Sequence, residues 1–444
     1  MTAQTAIPRV AVVGGGLAGT LCSLVLKNRG LQPVLIDAGT NGVGGRLRNG
    51  GAQFLRATDP HLAPIIQMLH EQGLLKEWKG RFGMLGSSGG GFLPAEIVAQ
   101  NQQGSGSAGG SIMGLQQAHD DEVIGGSSET AVSATDSGDF CQFVERSRSP
   151  AFVGVPSMTQ LCPEICRLAD IQQMNDVRVT GAWPHKKGGW SFAYNDSDNI
   201  ESFDGLVLAT HDPSLASSVI RSIVDAETEA GGYDTVQDAV DASDDDASFV
   251  IQRLLEVSSS LQKVRDDDKL PVYSVSLTYP KGFSEALPFD AVSIPGSRVV
   301  QFLVREASKP GLVDNAAGET WTAITTSQLA TAILDKGTLT DDDKKDVVLS
   351  RVTQEISQLV SKYHDGNKTP DPLQVYVKRW GAAFCANGLQ LKENSIFLAP
   401  WRLSIAGDFI RDSKSVALTP LEATALSGLE AGERMSSLWT DAPK

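Results

Sequence analysis

An α/β chain with two kinds of sheet is what the sequence predicts, on three observations. The first is a strand–helix–strand pattern at the start: apolar residues 10–13, a helical pattern from about 17 to 29, then apolar residues 33–36. The second is a set of runs at 177–183, 190–194 and 203–209 that alternate or stay apolar, as the strands of a meander do. The third is a later region, where 271–279 and 298–305 read as longer strands. There 341–363 carries Val347, Val348, Val352, Ile356, Leu359 and Val360 at helical spacing. A parallel-sheet domain accompanied by an α+β domain on a mixed or antiparallel sheet follows.

At 444 residues the chain has length for two or three domains. Its hydrophobic fraction is 41%, and no apolar run reaches the roughly 18 residues that span a bilayer. Only a few residues precede the first apolar run, so no signal or transit peptide is expected there. Five cysteines, Cys22, Cys141, Cys162, Cys166 and Cys385, are scattered, and Cys162 with Cys166 lacks zinc-site spacing. The expectation is a soluble, cytoplasmic protein with reduced thiols and no metal.

The net charge of −15 is local. Residues 86–139 hold seven acidic residues and 225–246 hold nine, with no Lys or Arg in either, which leaves 38 basic against 37 acidic residues elsewhere. This argues against nucleic acid and against anionic membranes as partners. Residues 86–139 are rich in Gly and Ser with Phe92 as sole aromatic, a composition too poor in apolar surface to offset its ordering entropy. Both stretches are expected to be insertions, the first mostly disordered, the second a solvated loop with room for a short helix. No internal repeat is visible.

The turn after residue 13 reads Gly14-x-Gly16-Leu17-Ala18-Gly19. Gly14 permits a tight strand-to-helix turn, Gly16 lets backbone approach a pyrophosphate, and Gly19 lets helix and strand pack closely. The helix N-terminus then offers N–H groups and a positive dipole end to phosphates. Asp37, followed by Ala38, ends the second strand, where a carboxylate accepts ribose hydroxyls and repels a 2′-phosphate. These residues alone leave FAD and NAD both open.

Further residues carry a family resemblance. Gly44-Gly45-Arg46 just past the second strand resembles the continuation found in the flavin amine oxidase superfamily, where this element wraps the FAD diphosphate. Gly51-Ala52-Gln53-Phe54 resembles the stretch beside the isoalloxazine ring. Near the other end, residues 403–408 resemble the superfamily's strand ending in Gly407-Asp408, whose aspartate holds the ribityl chain or a nearby phosphate. The run LEATALSG at 421–428 resembles its helix aimed at the flavin pyrimidine edge, where a helix N-terminus stabilises the negative charge of the reduced ring. Here Ala423 and Thr424, ahead of Ala425, replace the usual Gly-Ala. Residues 152–158 are similar to the segment that re-enters the cofactor domain, Val179 to the position whose backbone meets adenine, and 203–210 to the strand that returns to the cofactor. LVREASKPG at 303–311 and Lys378-Arg379-Trp380-Gly381 resemble elements of renalase-like proteins.

The resemblance implies a Rossmann-like, GR2-type FAD-binding domain with a p-hydroxybenzoate hydroxylase/amine oxidase-like substrate domain. It assigns 1–60, 150–215 and 372–444 to the first, and 61–85 and 250–371 to the second. It implies non-covalent FAD and a small-molecule substrate with an activated C–H, such as a 2- or 6-dihydro isomer of NAD(P), oxidised with O2 as acceptor and hydrogen peroxide as product. An amine oxidase, a flavin desaturase or dehydrogenase, and a non-catalytic FAD-binding protein stay open beside it. The flavin carries the chemistry, and no catalytic dyad is evident. Three side chains are candidates near it. His211 follows a strand end, against the reading of a solvated loop histidine. Lys309 could meet a diphosphate or carboxylate, against a surface lysine beside a Pro-Gly turn. Trp380 could stack on flavin or substrate, against a core tryptophan.

Overall fold

The computed structural model describes residues 6–86, 91–97, 150–185, 189–195, 197–228, 247–267, 269–364, 369–385, 388–412 and 419–440. The opening pattern forms strand Arg9–Val13, helix Leu17–Asn28 and strand Gln32–Asp37. Val10, Ala11, Val12, Val34 and Leu35 are wholly buried, as in a strand covered on both faces. Their sheet has six strands in the spatial order Ile396–Leu398, Leu403–Ile405, Gly205–Leu208, Arg9–Val13, Gln32–Asp37, Gln172–Asn175. All neighbours are parallel except the first pair. Val13 pairs with Ile36 on one side and Leu208 on the other, so three strands end at one edge.

The two ends of the chain meet on one face of this sheet. Helix Leu17–Asn28 packs along the C-terminal helix Pro420–Thr440, and the contact is made by small residues. A Cβ on Gly428 would collide with the Ala18 backbone, and one on Gly432 would lie 2.8 Å from Val25 Cβ. The opposite face carries the antiparallel meander Val179–Pro184, Trp190–Tyr194, Ser197–Phe203 with helices Ser214–Thr228 and Ala247–Asp267. Trp190, Phe192, Ile220, Ile223, Leu254 and Leu261 form their shared core. Ser217 and Ser258 join the two helices by a buried hydroxyl pair at 2.9 Å.

The run expected as one meander strand at 203–209 divides. Ser197–Phe203 completes the meander, and Gly205–Leu208 enters the parallel sheet beside Arg9–Val13. The transfer occurs at Asp204, whose carboxylate accepts the Arg9 N–H at 2.7 Å and whose own N–H donates to Arg9 O. Phe203 before the transfer and residues 205–208 after it are buried, while Asp204 between them is exposed.

The second sheet is mixed and has seven strands, in the order Gln374–Cys385, Lys269–Tyr279, Glu319–Thr325, Val300–Arg305, Ala291–Ser293, Phe82–Leu85, Phe92–Pro94. Ala291–Ser293 and Phe82–Leu85 are its parallel pair. Tyr273, Val275, Leu277, Trp321 and Ala323 face helices Ser327–Leu334 and Asp341–Val360 in one core. By strand alternation, Val272, Ser274, Ser276, Thr322 and Ile324 face the other way. The helix expected over 341–363 runs Asp341–Val360 and opens with a capping box between Thr340 and Asp343.

Of the first expected insertion, residues 91–97 belong to the fold: Phe92–Pro94 pairs with Phe82–Leu85, and the Phe92 ring lies 5.7 Å from Phe289. Residues 87–90 and 98–139 lie outside the described residues. Of the second, 225–228 extend helix Ser214–Thr228, and 229–246 lie outside the described residues. Among the described residues, no helix is long and apolar enough to cross a membrane.

Candidate active site

A groove of ≈ 940 Å³ runs over the strand edge where residues 13, 37 and 208 end. Gly14, Gly16, Leu17, Ala18, Asp37, Ala38, Gly45, Arg46, Ala52, Val179, Gly407, Asp408 and Thr424 all line it, as do His211 and Trp380. Five other residues singled out from the sequence for the cofactor lie off its wall. Gly19 sits where a Cβ would overlap Gly14 O, so it serves helix–strand packing. Gly51 closes a turn in which Ala52 N–H donates to Arg46 O at 2.9 Å. Phe54 is buried among Trp78 and Phe302, Ala425 is buried in the same core, and Gln53 faces a neighbouring cavity.

The groove fits a dinucleotide at its glycine turn. Gly14 has φ +115°, a conformation glycine adopts without strain. Gly16 has an ordinary φ of −74°, and a Cβ built on it meets nothing within 4 Å, so its backbone borders open groove. No acidic residue occupies the first turn of helix Leu17–Asn28, and Gly16 offers no side-chain cap. The N–H groups of that turn therefore have no intrahelical partner and are oriented for phosphate oxygens. Asp37 accepts the Gly15 N–H at 2.7 Å and the Gly39 N–H at 2.6 Å, one on each oxygen. A carboxylate has further acceptor sites on both oxygens, which suit ribose hydroxyls.

Gly44 N–H donates to Gly15 O at 2.7 Å, which folds Gly45 and Arg46 back onto the glycine turn. Arg46 then grips Asp408 with two hydrogen bonds, 2.8 and 2.6 Å, and donates to Ala383 O at 2.5 Å. The Asp408 side chain is 1% exposed and that of Arg46 27%. Burial alone would raise the Asp408 carboxyl. The charge and hydrogen bonds of Arg46, with the Cys385 N–H, outweigh it and hold the group below its ordinary value. The pair closes the groove by joining the N-terminal loop to the C-terminal strand end.

Helix Pro420–Thr440 starts at the groove, where Pro420, Leu421 and Thr424 are lining residues. Its start is fixed by a capping box not singled out from the sequence, although the Thr-x-x-Glu spacing at 419–422 announces one. Glu422 N–H donates to Thr419 Oγ1 at 3.2 Å, and Thr419 N–H donates to Glu422 at 3.2 Å. The other Glu422 oxygen accepts both the N–H and the hydroxyl of Thr58, each at 2.6 Å.

His211 lines the groove and is exposed. Desolvation by its surroundings, with the Arg46 guanidinium, holds its imidazole below the ordinary value. Trp380 Nε1 is buried with no hydrogen-bond partner among the described residues, a donor still available to a bound group, and Lys378 Nζ lies 5.6 Å from its ring centroid.

A second cavity of ≈ 310 Å³ meets the groove at Leu47 and Ala52, which line both. Lys309 is in its wall, and it is not a surface lysine. Its residue is 5% exposed, and its ammonium donates to Gln53 Oε1 at 2.6 Å and to the two Glu306 oxygens at 3.0 and 2.9 Å. Gln53 in turn donates to Gly50 O and Gly51 O at 3.0 and 2.8 Å. The three protons of the ammonium are all engaged, so Lys309 cancels the Glu306 charge and braces the 50–53 turn.

No family model matches the chain, and no curated protein does. Solved structures show its fold class: α/β, with the two-sheet architecture of the amine oxidases. A putrescine oxidase matches at 14% identity and a TM-score of 0.56, covering 97% of this chain and 98% of its own. Cyclohexylamine oxidase from Brevibacterium oxydans matches at 11% identity and a TM-score of 0.55, covering 97% and 99%. An oxidoreductase from Methanosarcina mazei matches at 12% identity and a TM-score of 0.57, covering 96% and 100%.

Proposed function

We propose that the groove binds FAD non-covalently and that the chain is an FAD-dependent oxidase of renalase type. Its donor would be a small molecule with an activated C–H in an uncharged ring, such as an isomeric dihydronicotinamide (2- or 6-dihydro-NAD(P)). FAD held there would supply the two-electron acceptor for the donor, with O2 as the final oxidant and hydrogen peroxide as product. The glycine turn and the N-terminus of helix Leu17–Asn28 would hold the diphosphate, Asp37 the adenosine ribose, and helix Pro420–Thr440 would present its N-terminus to the ring.

The observation that carries the choice of donor is the neutral cavity beside the groove. Its one carboxylate, Glu306, is cancelled by Lys309, and Tyr376 is the one aromatic residue on its wall. An amine donor would favour an uncompensated carboxylate or a pair of flanking aromatic rings. The test mixes the oxidised flavoprotein anaerobically with dihydro-NAD(P) isomers and, separately, with putrescine and cyclohexylamine. Bleaching of the flavin by the nicotinamide isomers, with fast peroxide release in air, is expected. Bleaching by amines alone makes the chain an amine oxidase, slow reoxidation makes it a dehydrogenase, and failure to take up FAD ends the reading.

A further inference from the structure

The face of the seven-stranded sheet that borders the smaller cavity carries hydroxyls where an ordinary domain contact carries apolar side chains. Along Lys269–Tyr279 the residues alternate: Tyr273, Val275 and Leu277 enter the core behind the sheet, while Ser274 and Ser276 line the cavity. On the neighbouring strand Thr322 pairs directly with Ser276 and lines the cavity too. Ser274 and Thr322 are each 3% exposed. None of the three hydroxyls has a hydrogen-bond partner among the described residues; Ser276 is half-buried, and all three residues line the cavity. Gly50, at φ +71°, lies so close that a Cβ there would stand 2.6 Å from Ser274 Oγ, so the Ser274 hydroxyl faces the turn braced by Gln53 and Lys309.

We infer that Ser274, Ser276 and Thr322 form a recognition site for a primary carboxamide on the donor ring, an inference that rests on the dihydronicotinamide reading above. A hydroxyl both donates and accepts, and a carboxamide presents one carbonyl acceptor beside two N–H donors. A carboxylate in its place would find no free cation, because Lys309 is spent on Glu306 and Gln53. An ammonium would find no free carboxylate. An unsubstituted ring would leave the hydroxyls of Ser274 and Thr322, on two buried residues, and that of half-buried Ser276 without a partner, which is how a hydrogen-bonding site rejects an analogue that lacks the group.

The experiment titrates the oxidised, FAD-loaded protein with nicotinamide, nicotinic acid and pyridine, reading the perturbation of the visible flavin spectrum. Wild type should bind nicotinamide at least tenfold more tightly than either analogue. Ser274→Ala and Thr322→Val should each lose about tenfold in nicotinamide affinity while leaving pyridine binding and FAD content unchanged. Equal binding of nicotinamide and pyridine by wild type overturns the inference, as does unchanged nicotinamide affinity in both variants. Because ligand binding is read without turnover, the two readings fail separately. Hydroxyl-dependent nicotinamide binding without oxidation of any dihydro isomer removes the proposed reaction and keeps the site, while turnover indifferent to the hydroxyls does the reverse.

Discussion

Replacing Asp408 by asparagine tests the joint between the two ends of the chain. The substitution keeps the shape of the side chain and removes the charge that Arg46 meets with two hydrogen bonds. Removing one member of a buried pair costs about 3–5 kcal/mol, and water reaching the partly exposed Arg46 places this case near the lower end, about 3 kcal/mol. Unfolding entropy of about 2.1 cal/mol/K per residue comes to about 0.9 kcal/mol/K for this chain, so Tm should fall by about 3 °C if it unfolds as one unit. The pH dependence is equally specific. The folded carboxyl lies below its unfolded value of about 4, so its contribution is complete above that pH and fades as pH falls through the folded value. The difference in Tm between wild type and variant should therefore be constant from about pH 5 to 8 and narrow only below about pH 4. Calorimetry of the two proteins across that range measures it. A difference under about 1 °C at pH 7, or one that vanishes by about pH 6, refutes the clamp.

Three other substitutions probe separate parts of the site. Gly16→Val places a side chain in open groove at an unstrained φ, so it should leave the circular dichroism spectrum intact and lower FAD affinity at least a hundredfold; normal FAD content would show that the phosphates lie elsewhere. Glu422→Ala removes a capping partner together with both Thr58 hydrogen bonds, and urea unfolding should report a loss of about 2 kcal/mol, against well under 0.5 for an idle side chain. Lys309→Met leaves Glu306 uncompensated, which should cost about 3 kcal/mol by the same measurement; Lys309→Met with Glu306→Gln should recover most of that loss, and failure to recover it would show that the charge pairing is not the cause.

The strand–helix–strand unit was readable because its determinants are local. Residues 10–13 and 33–36 need only be apolar, the turn needs glycine, and Asp37 needs only to end the strand. Position in the fold was less readable. Phe203 and residues 206–208 are all apolar and buried, yet they belong to two sheets divided at Asp204-Gly205, because burial in either sheet demands apolar side chains. Lys309 beside a Pro-Gly turn looks like a surface residue, and only Glu306 three residues away hints at a partner. Gln53, the partner that buries it, lies 256 positions earlier. The hydroxyl stripe was in view as the alternation Tyr273-Ser274-Val275-Ser276-Leu277, but alternation marks two faces without saying what either meets.

The sequence by itself determined the α/β class, the glycine turn between strand and helix, and the acidic residue at the end of the second strand. Those features rest on backbone geometry and periodicity within about thirty residues. The tertiary structure alone decided that Arg46 meets Asp408, that Glu422 reaches back to Thr58, and that a neutral, hydroxyl-lined cavity opens beside the groove. Each depends on side chains brought together from distant strands, where charge cancellation and hydrogen bonding follow from distances of a few ångströms that spacing along the chain does not encode.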